Sequence, residues 1–464
     1  MADQQHIRDH LAEVALAIRY EDIPASVIAE AKRLVLDTLS GVYGGWEGGP
    51  TKGVRSIVRA LGGTPEATVL GTEERTNALL ACLANGTSLR FIDANDYYFG
   101  RDPSHASGNL APALAMAQKH GLGGKGVILG LAVGYEVQFR LVDHAGEPSL
   151  WDRGWHHGTN MAIASAALSG RLMGLDRTAI ANAIAIAASH NNTLTESMRG
   201  TMATMKATVE AVTAKAGIEA VLLAAEGITG PETAFEGISG WGKVVAGSMN
   251  VEGLTEPFDG SRYRLMDTCM KPFAAHALSQ ANIEAAILLS RDDKVPLDEI
   301  ESIRVHYSRP VLNSPVMDPA KFGEPKNKET ADHSPPYLIA VAMLEHDCGP
   351  AQFMPDKLAS PRIRSLMAKV SVAHDPQLDT LYPGSLGGRV VVTLKSGAVR
   401  ERFCPAPPGH PKNRIDDARL QHKFRTYSEP TLGREGVDRV IEATMRLDRI
   451  DDLADYADAL VIRR

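Results

Sequence analysis

Arg389-Val-Val-Val-Thr-Leu-Lys-Ser-Gly-Ala-Val-Arg-Glu-Arg-Phe403 reads as a β-hairpin turning at Lys395-Ser-Gly397. Upstream, Ser302-Ile-Arg-Val-His-Tyr307 and Lys369-Val-Ser-Val-Ala-His374 alternate at period two, as half-buried strands do. Helical patterns over 273–289, 337–345 and 361–367 lie among these strands. Together they predict an α+β module of roughly 130 residues, an ordinary domain size. Its bounds are taken as 266–404.

Outside that module the texture is helical. Apolar residues recur at helical spacing over 24–39, after an early proline. Further helices are predicted over 77–91, 109–119, 125–142, 159–173 and 177–189, the last with Asp176 as N-cap. A long alanine-rich helix follows over 202–225. Ala162, Ala166 and Gly170 set small residues four apart, which lets helix backbones approach closely. Residues 227–263 are rich in glycine and turn formers and read as an irregular connection. After Pro405 the chain turns helical again, from 416 through 459. Periodicity leaves two places open for this tail: the first helical domain or the end of the second.

The chain has 464 residues, enough for two cores, with 44% hydrophobic and 23% charged residues. A net charge of −7 argues against a general nucleic-acid binder. Cys82, Cys269, Cys348 and Cys404 are far apart and form no CxxC, which suits thiols in a reducing compartment. The first residues, Met-Ala-Asp-Gln-Gln-His-Ile-Arg, lack a signal-peptide core. No apolar run reaches the ~18 residues of a membrane span. A cytoplasmic protein without membrane or nucleic-acid partners is expected.

Chemistry concentrates in Phe91-Ile-Asp-Ala-Asn-Asp-Tyr-Tyr-Phe-Gly-Arg-Asp-Pro-Ser-His-Ala-Ser-Gly108. Acids, bases and hydroxyls crowd this loop between two apolar helices, which suits proton transfer on a small polar molecule. His105 precedes the helix predicted from 109, whose free N–H groups favour anions. It reads as a proton donor beside a carboxylate, or as a capping or surface histidine. Trp155-His-His-Gly158 opens another helix. Its adjacent histidines lack the i, i+4 spacing of a helical metal site, and no HExxH occurs. One of them is a candidate for proton transfer or substrate hydrogen bonding.

Lys206, within Met202-Ala-Thr-Met-Lys-Ala-Thr-Val, is a candidate buried lysine needing an anionic partner; a snorkelling surface lysine is the alternative. Lys271, in Cys269-Met-Lys-Pro-Phe273, stands before the predicted 273–289 helix, with Pro272 at N1 and His276 in its first turn. That place suits a carboxylate grip; a surface lysine at a domain junction is the alternative. Tyr307 and Arg309 end a strand, and Asp332-His-Ser-Pro-Pro-Tyr337 precedes a helix. Both segments are candidates to reach a cleft between the modules, where small-molecule sites form; capping by Asp332 or Ser334 and packing of Tyr337 is the favoured reading. There is no P-loop and no GxSxG elbow, and Gly121-Leu-Gly-Gly-Lys-Gly126 follows no strand.

These residues, in this order, resemble the MmgE/PrpD family. The segments that carry it are Asp93 to Pro112, Gly154-Trp-His-His, Lys206, Lys215-Ala-Gly217, Met270-Lys-Pro-Phe-Ala-Ala-His276 and Thr330-Ala-Asp-His-Ser-Pro-Pro-Tyr-Leu-Ile-Ala-Val-Ala342. Pro407-Pro-Gly-His-Pro-Lys-Asn413 with Lys423-Phe424 matches the family's usual ending. The resemblance implies a mainly α fold: a large all-helical domain built from both chain ends (1–265 and 405–464) and a smaller α+β domain (266–404). It also implies a homodimer, no metal or organic cofactor, and an active site between the domains.

Carried over residue by residue, the family site falls on Asp93, His105, His156, Lys206, Lys271 and Tyr307. Tyr97 stands where the family has threonine, the loop before His105 is about two residues longer than in the decarboxylase, and Ala106 stands where many members have proline. The implied substrates are small di- or tricarboxylates. Catalytic roles then fall to His105, His156, Asp93 and Lys206, and substrate binding to Lys271, Tyr307 and Tyr97. The implied activity is a cofactor-independent dehydratase of a hydroxy-polycarboxylate such as 2-methylcitrate. The alternatives are an epimerase or decarboxylase of iminodisuccinate or cis-aconitate type, and a non-catalytic polycarboxylate-binding protein.

Overall fold

The computed structural model describes residues 5–147 and 149–463. It is mainly α, with one four-stranded sheet. Long helices form most of the N-terminal half: α1 (Ile7–Ala17), α2 (Ala25–Gly44), α3 (Gly49–Leu61), α4 (Ala78–Arg90), α5 (Leu110–Lys119), α6 (Gly123–His144), α7 (Thr159–Leu172), α8 (Arg177–His190) and α9 (Val209–Ala225). The Asp176 side chain accepts from Ala179 N at 2.8 Å and fixes the start of α8. Small residues let these helices close on one another. A Cβ on Gly217 of α9 would lie 2.6 Å from the Ala162 carbonyl oxygen of α7.

The later helices are α10 (Gln280–Arg291), α11 (Pro335–Glu345), α12 (Pro361–Met367), α13 (Asp417–Met445) and α14 (Leu453–Ala459). The strands are β1 (Ile300–Tyr307), β2 (Val370–His374), β3 (Gly388–Leu394) and β4 (Val399–Cys404), in the order β2-β1-β3-β4. β1 and β2 run parallel; the other pairs are antiparallel. β3 buries alternate residues, and α10 and α11 pack beside the sheet in the same core. The hairpin turns at Lys395–Gly397, where Gly397 has φ +83°.

Two main cores result. One joins residues from Ile7 to Met270 with residues from Ile415 to Leu460, so helices from both chain ends share it. The other runs from Phe273 to Leu394 and also takes in Ile92, Ala94, Tyr97, Trp151 and Met198 from the helical side. The loop after α4 is therefore part of the second core, and it carries its polar side chains to the seam.

Two predicted helix starts are shifted. The expected 273–289 helix begins at Gln280, after a 3₁₀ turn at Ala277–Ser279. The Gln280 side chain takes over backbone bonding in the preceding segment: it accepts from Phe273 N and donates to Phe273 O and Ala275 O. Pro272 is therefore not at N1 of a helix. The expected 202–225 helix starts at Val209, and Lys206 sits in a separate 3₁₀ turn, Thr204–Thr208.

Candidate active site

Asp93 follows α4 with φ +55°, a left-handed turn that aspartate tolerates better than most residues. It is buried, and four cationic or titratable groups converge on its carboxylate. Lys271 Nζ donates to Oδ1 at 2.8 Å, Lys206 Nζ to Oδ2 at 3.0 Å, and Arg90 Nη1 makes a short bond to Oδ1. His333 Nε2 lies 3.5 Å from Oδ2. Burial alone would raise the Asp93 pKa; Arg90, Lys206 and Lys271 outweigh it and hold the group well below the usual range. Burial lowers Lys271 to about 8, with Asp93 partly opposing.

Arg90 has a second partner. Its Nε donates to Glu210 Oε1 at 3.0 Å. The contact depends on close approach of α4 and α9: a Cβ on Gly86, one turn before Arg90, would lie 2.9 Å from the Ala211 Cβ. Glu210 Oε1 also accepts from His157 Nε2 at 3.1 Å. Burial would raise the Glu210 carboxyl, but Arg90 and His157 bring it down to about 2.

His105, His157, His276 and His333 line one buried chamber with Arg90 and Asp93. The chamber has a volume of about 30 Å³, room for one or two waters. His105 Nδ1 donates to the Asp96 carbonyl at 2.5 Å, which leaves Nε2 with the lone pair. Burial first, then Arg90 and Lys271, push its pKa well below the ordinary value. His333 Nδ1 makes a short bond to Asp332 Oδ1; burial and Lys206 bring its pKa to about 4. His276 Nε2 meets Ser279 Oγ at 2.8 Å, and that oxygen is 2.7 Å from the Tyr307 hydroxyl.

Asp93 and His105 thus share the chamber. Lys206 and Lys271 reach the same point, but both ammonium groups rest on Asp93 instead of standing on the chamber wall. His156 is buried behind His157, with ring centres 3.9 Å apart, and its Nδ1 accepts from Gly158 N; it is not a wall residue. Tyr307 is not a wall residue; it supports His276 through Ser279. Tyr97 lines a separate hollow with Cys269, Ser385 and His410, because its backbone pairs with Cys269 and turns the ring that way.

Ser334 stands at the N-cap of α11 but its side chain makes no capping bond, and the capping reading of residues 332–337 fails for Asp332 as well. That carboxylate pairs with Lys328 Nζ at 2.6 Å and with His333. The Tyr337 ring is packed, its hydroxyl donating to Gln352 O. Sequence reading missed Arg90 and Glu210 altogether, and named His333 only as part of a motif.

Among the described residues, two buried groups bring together metal-ligating side chains: His105, His157 and Glu210, and Asp93, Asp332 and His333. Their carboxylates are already neutralised by Arg90, Lys206, Lys271 and Lys328, so a cation would meet fixed positive charge. The donor set fits a metal poorly. No helix among the described residues is long and apolar enough to cross a membrane.

A buried chamber walled by imidazoles and backed by fixed cations is equipped for acid–base chemistry on an anion. The chain belongs to the MmgE/PrpD family: residues 9–253 match the MmgE/PrpD N-terminal domain and 273–448 the MmgE/PrpD C-terminal domain. It is 25% identical to cis-aconitate decarboxylase of Mus musculus, over 96% of this chain and 91% of the relative. It is 28% identical to the mitochondrial 2-methylcitrate dehydratase of Yarrowia lipolytica (97% and 89%), and 24% identical to 2-methylcitrate dehydratase of Salmonella typhimurium (85% and 85%).

Proposed function

We propose that the protein is a lyase that dehydrates a small hydroxy-polycarboxylate such as 2-methylcitrate, using side-chain acid–base chemistry without a cofactor. The observation that carries this reading is the chamber itself: several imidazoles beside Arg90, with the Lys206 and Lys271 ammonium groups held one step behind on Asp93. A C–H next to a carboxylate is weakly acidic, so its removal needs a neutral base and nearby positive charge for the developing enolate. His105 suits the base, since its Nε2 carries the lone pair and its depressed pKa keeps it neutral. The C–H electrons form the new double bond, the C–O bond breaks, and the hydroxyl leaves as water on taking a proton from a second imidazole.

Incubation of the purified protein with 2-methylcitrate, citrate, cis-aconitate and iminodisuccinate in deuterated water, read by NMR, tests the reading. Loss of water from 2-methylcitrate or citrate is expected. Loss of carbon dioxide, or deuterium exchange alone, would replace dehydration by decarboxylation or epimerisation. Ligand-induced thermal stabilisation with no turnover or exchange would leave only a binding protein. His105→Ala is expected to lower turnover by about 10²-fold or more, as loss of a proton-transfer group does.

A further inference from the structure

Resting on the reading above, we propose that His157, held by Glu210, is the imidazole that protonates the departing hydroxyl, and that Glu210 and Arg90 are its positioning residues. Nothing in the family match assigns these three residues a role. Glu210 is an ionised carboxylate and can only accept, so His157 Nε2 must carry the proton in the 3.1 Å bond. The other ring nitrogen, Nδ1, has no hydrogen-bond partner among the described residues, and the ring is part of the chamber wall. His156 also has an unpartnered ring nitrogen, Nε2, but its Nδ1 is taken by Gly158 N and no carboxylate holds the ring, which lies behind His157 and off the chamber wall.

The groups facing His157 are Glu210, Arg90, Asp93, His105 and His156. Burial brings the His157 pKa below the ordinary value, and Glu210 offsets only part of that, through both its charge and its hydrogen bond. His105 has only a carbonyl behind it, and Arg90 and Lys271 disfavour its charged form. Two imidazoles with ring centres 5.0 Å apart are therefore unequal. The one backed by a carboxylate takes the proton more readily, and the other stays neutral. Environments that separate two such groups assign acid and base between them.

The step balances. His157 as imidazolium gives its Nδ1 proton to the hydroxyl oxygen, which leaves with the C–O electron pair as water. His105 Nε2 receives the carbon's proton, and the C–H pair becomes the C=C bond. His157 ends neutral and His105 protonated, and a proton passing from the second ring to the first restores the site. Glu210 stays ionised throughout because Arg90 Nε holds the same oxygen.

Glu210→Gln tests this, since the amide oxygen still accepts from Nε2–H while the charge is gone. With 2-methylcitrate as substrate, the alkaline limb of kcat/KM should move to lower pH by about one unit or more, because loss of a neighbouring carboxylate lowers a histidine pKa. His157→Asn should lower turnover by about 10²-fold or more. An unmoved limb in Glu210→Gln, or His157→Asn within roughly threefold of wild type, overturns the proposal. A second measurement needs no substrate. In ¹⁵N-histidine-labelled wild-type protein, His157 should show a protonated Nε2 and a bare Nδ1, and a proton on Nδ1 in the neutral ring overturns the assignment. If the wild type transforms none of the four acids, the dehydratase reading fails, and the acid role of His157 with it; the ring tautomer then still shows whether Glu210 positions His157.

Discussion

At the scale of single residues, burial sets the charge state. Asp102 is 1% exposed; its Oδ1 accepts from Leu150 N at 2.9 Å, and its Oδ2 has no partner among the described residues. Burial pushes its pKa up to about 7, with Glu147 and Asp152 adding to the rise and the Leu150 N–H opposing it. A carboxyl with a raised folded pKa holds its proton more tightly folded than unfolded. Its contribution is present below the unfolded value of about 3.9 and is lost as pH rises through 7. Asp102→Asn should therefore raise the melting temperature at pH 8 and leave it nearly unchanged at pH 4; equal shifts at both would refute this. The ion pairs give a second expectation. Every carboxylate of the two potential metal triads already has a basic partner, so dialysis against a chelator should leave turnover and melting temperature unchanged. Asp93 and His105 were legible because one loop crowds acids and bases between apolar helices. Arg90 and Glu210 were not: each reads as an ordinary polar position on a helix, and their partnership spans 120 residues. Periodicity reports which face a residue takes, not what it meets there.

At the scale of elements, small residues decide how closely helices pack. Gly217 sits in the middle of α9, where alanine would normally be the better helix former by about 1 kcal/mol. Here the added Cβ would lie 2.5 Å from the Ser165 Cβ and 2.6 Å from the Ala162 carbonyl oxygen, and a backbone oxygen cannot rotate away. Gly217→Ala should therefore destabilise by about 1–3 kcal/mol, as overpacked cores do. Gly53, within α3, has nothing within 4 Å of its added Cβ, so Gly53→Ala should be neutral or stabilising by up to about 1 kcal/mol. Urea unfolding of the pair checks both, and Gly217→Ala matching Gly53→Ala would refute the packing argument. The small-residue spacing and most helix spans were legible, since both are local patterns. The late starts of α9 and α10 were not. Before α10 the Gln280 side chain replaces helical backbone bonds around Phe273 and Ala275, and Lys271 Nζ also bonds the Ala275 carbonyl. Propensity cannot foresee a turn undone by side chains that bond the backbone four to seven residues away.

At the scale of the molecule, the two cores meet where the chemistry lies, and the joint is tied at several points. Lys423 of α13 donates to Asp37 Oδ1 at 2.6 Å and to the Ala94 carbonyl at 2.7 Å. Lys321 Nζ donates to the carbonyls of Met198, Pro315 and Val316. The chamber at this joint is too small for a polycarboxylate. Beside it lies an open hollow of about 720 Å³, and Phe99, Pro103, Trp151 and Leu278 border both spaces. An anion that reaches His105 and Arg90 by this route must displace that shared wall. Trp151 is its largest member and stands edge-on to Phe99, with ring centres 6.1 Å apart. Adding 2-methylcitrate should therefore change the intrinsic tryptophan fluorescence. Trp151→Phe should abolish the change while Trp46, Trp155 and Trp241 remain. A response of the same size in Trp151→Phe would show that the acid enters without moving this wall, and that the hollow is not its path.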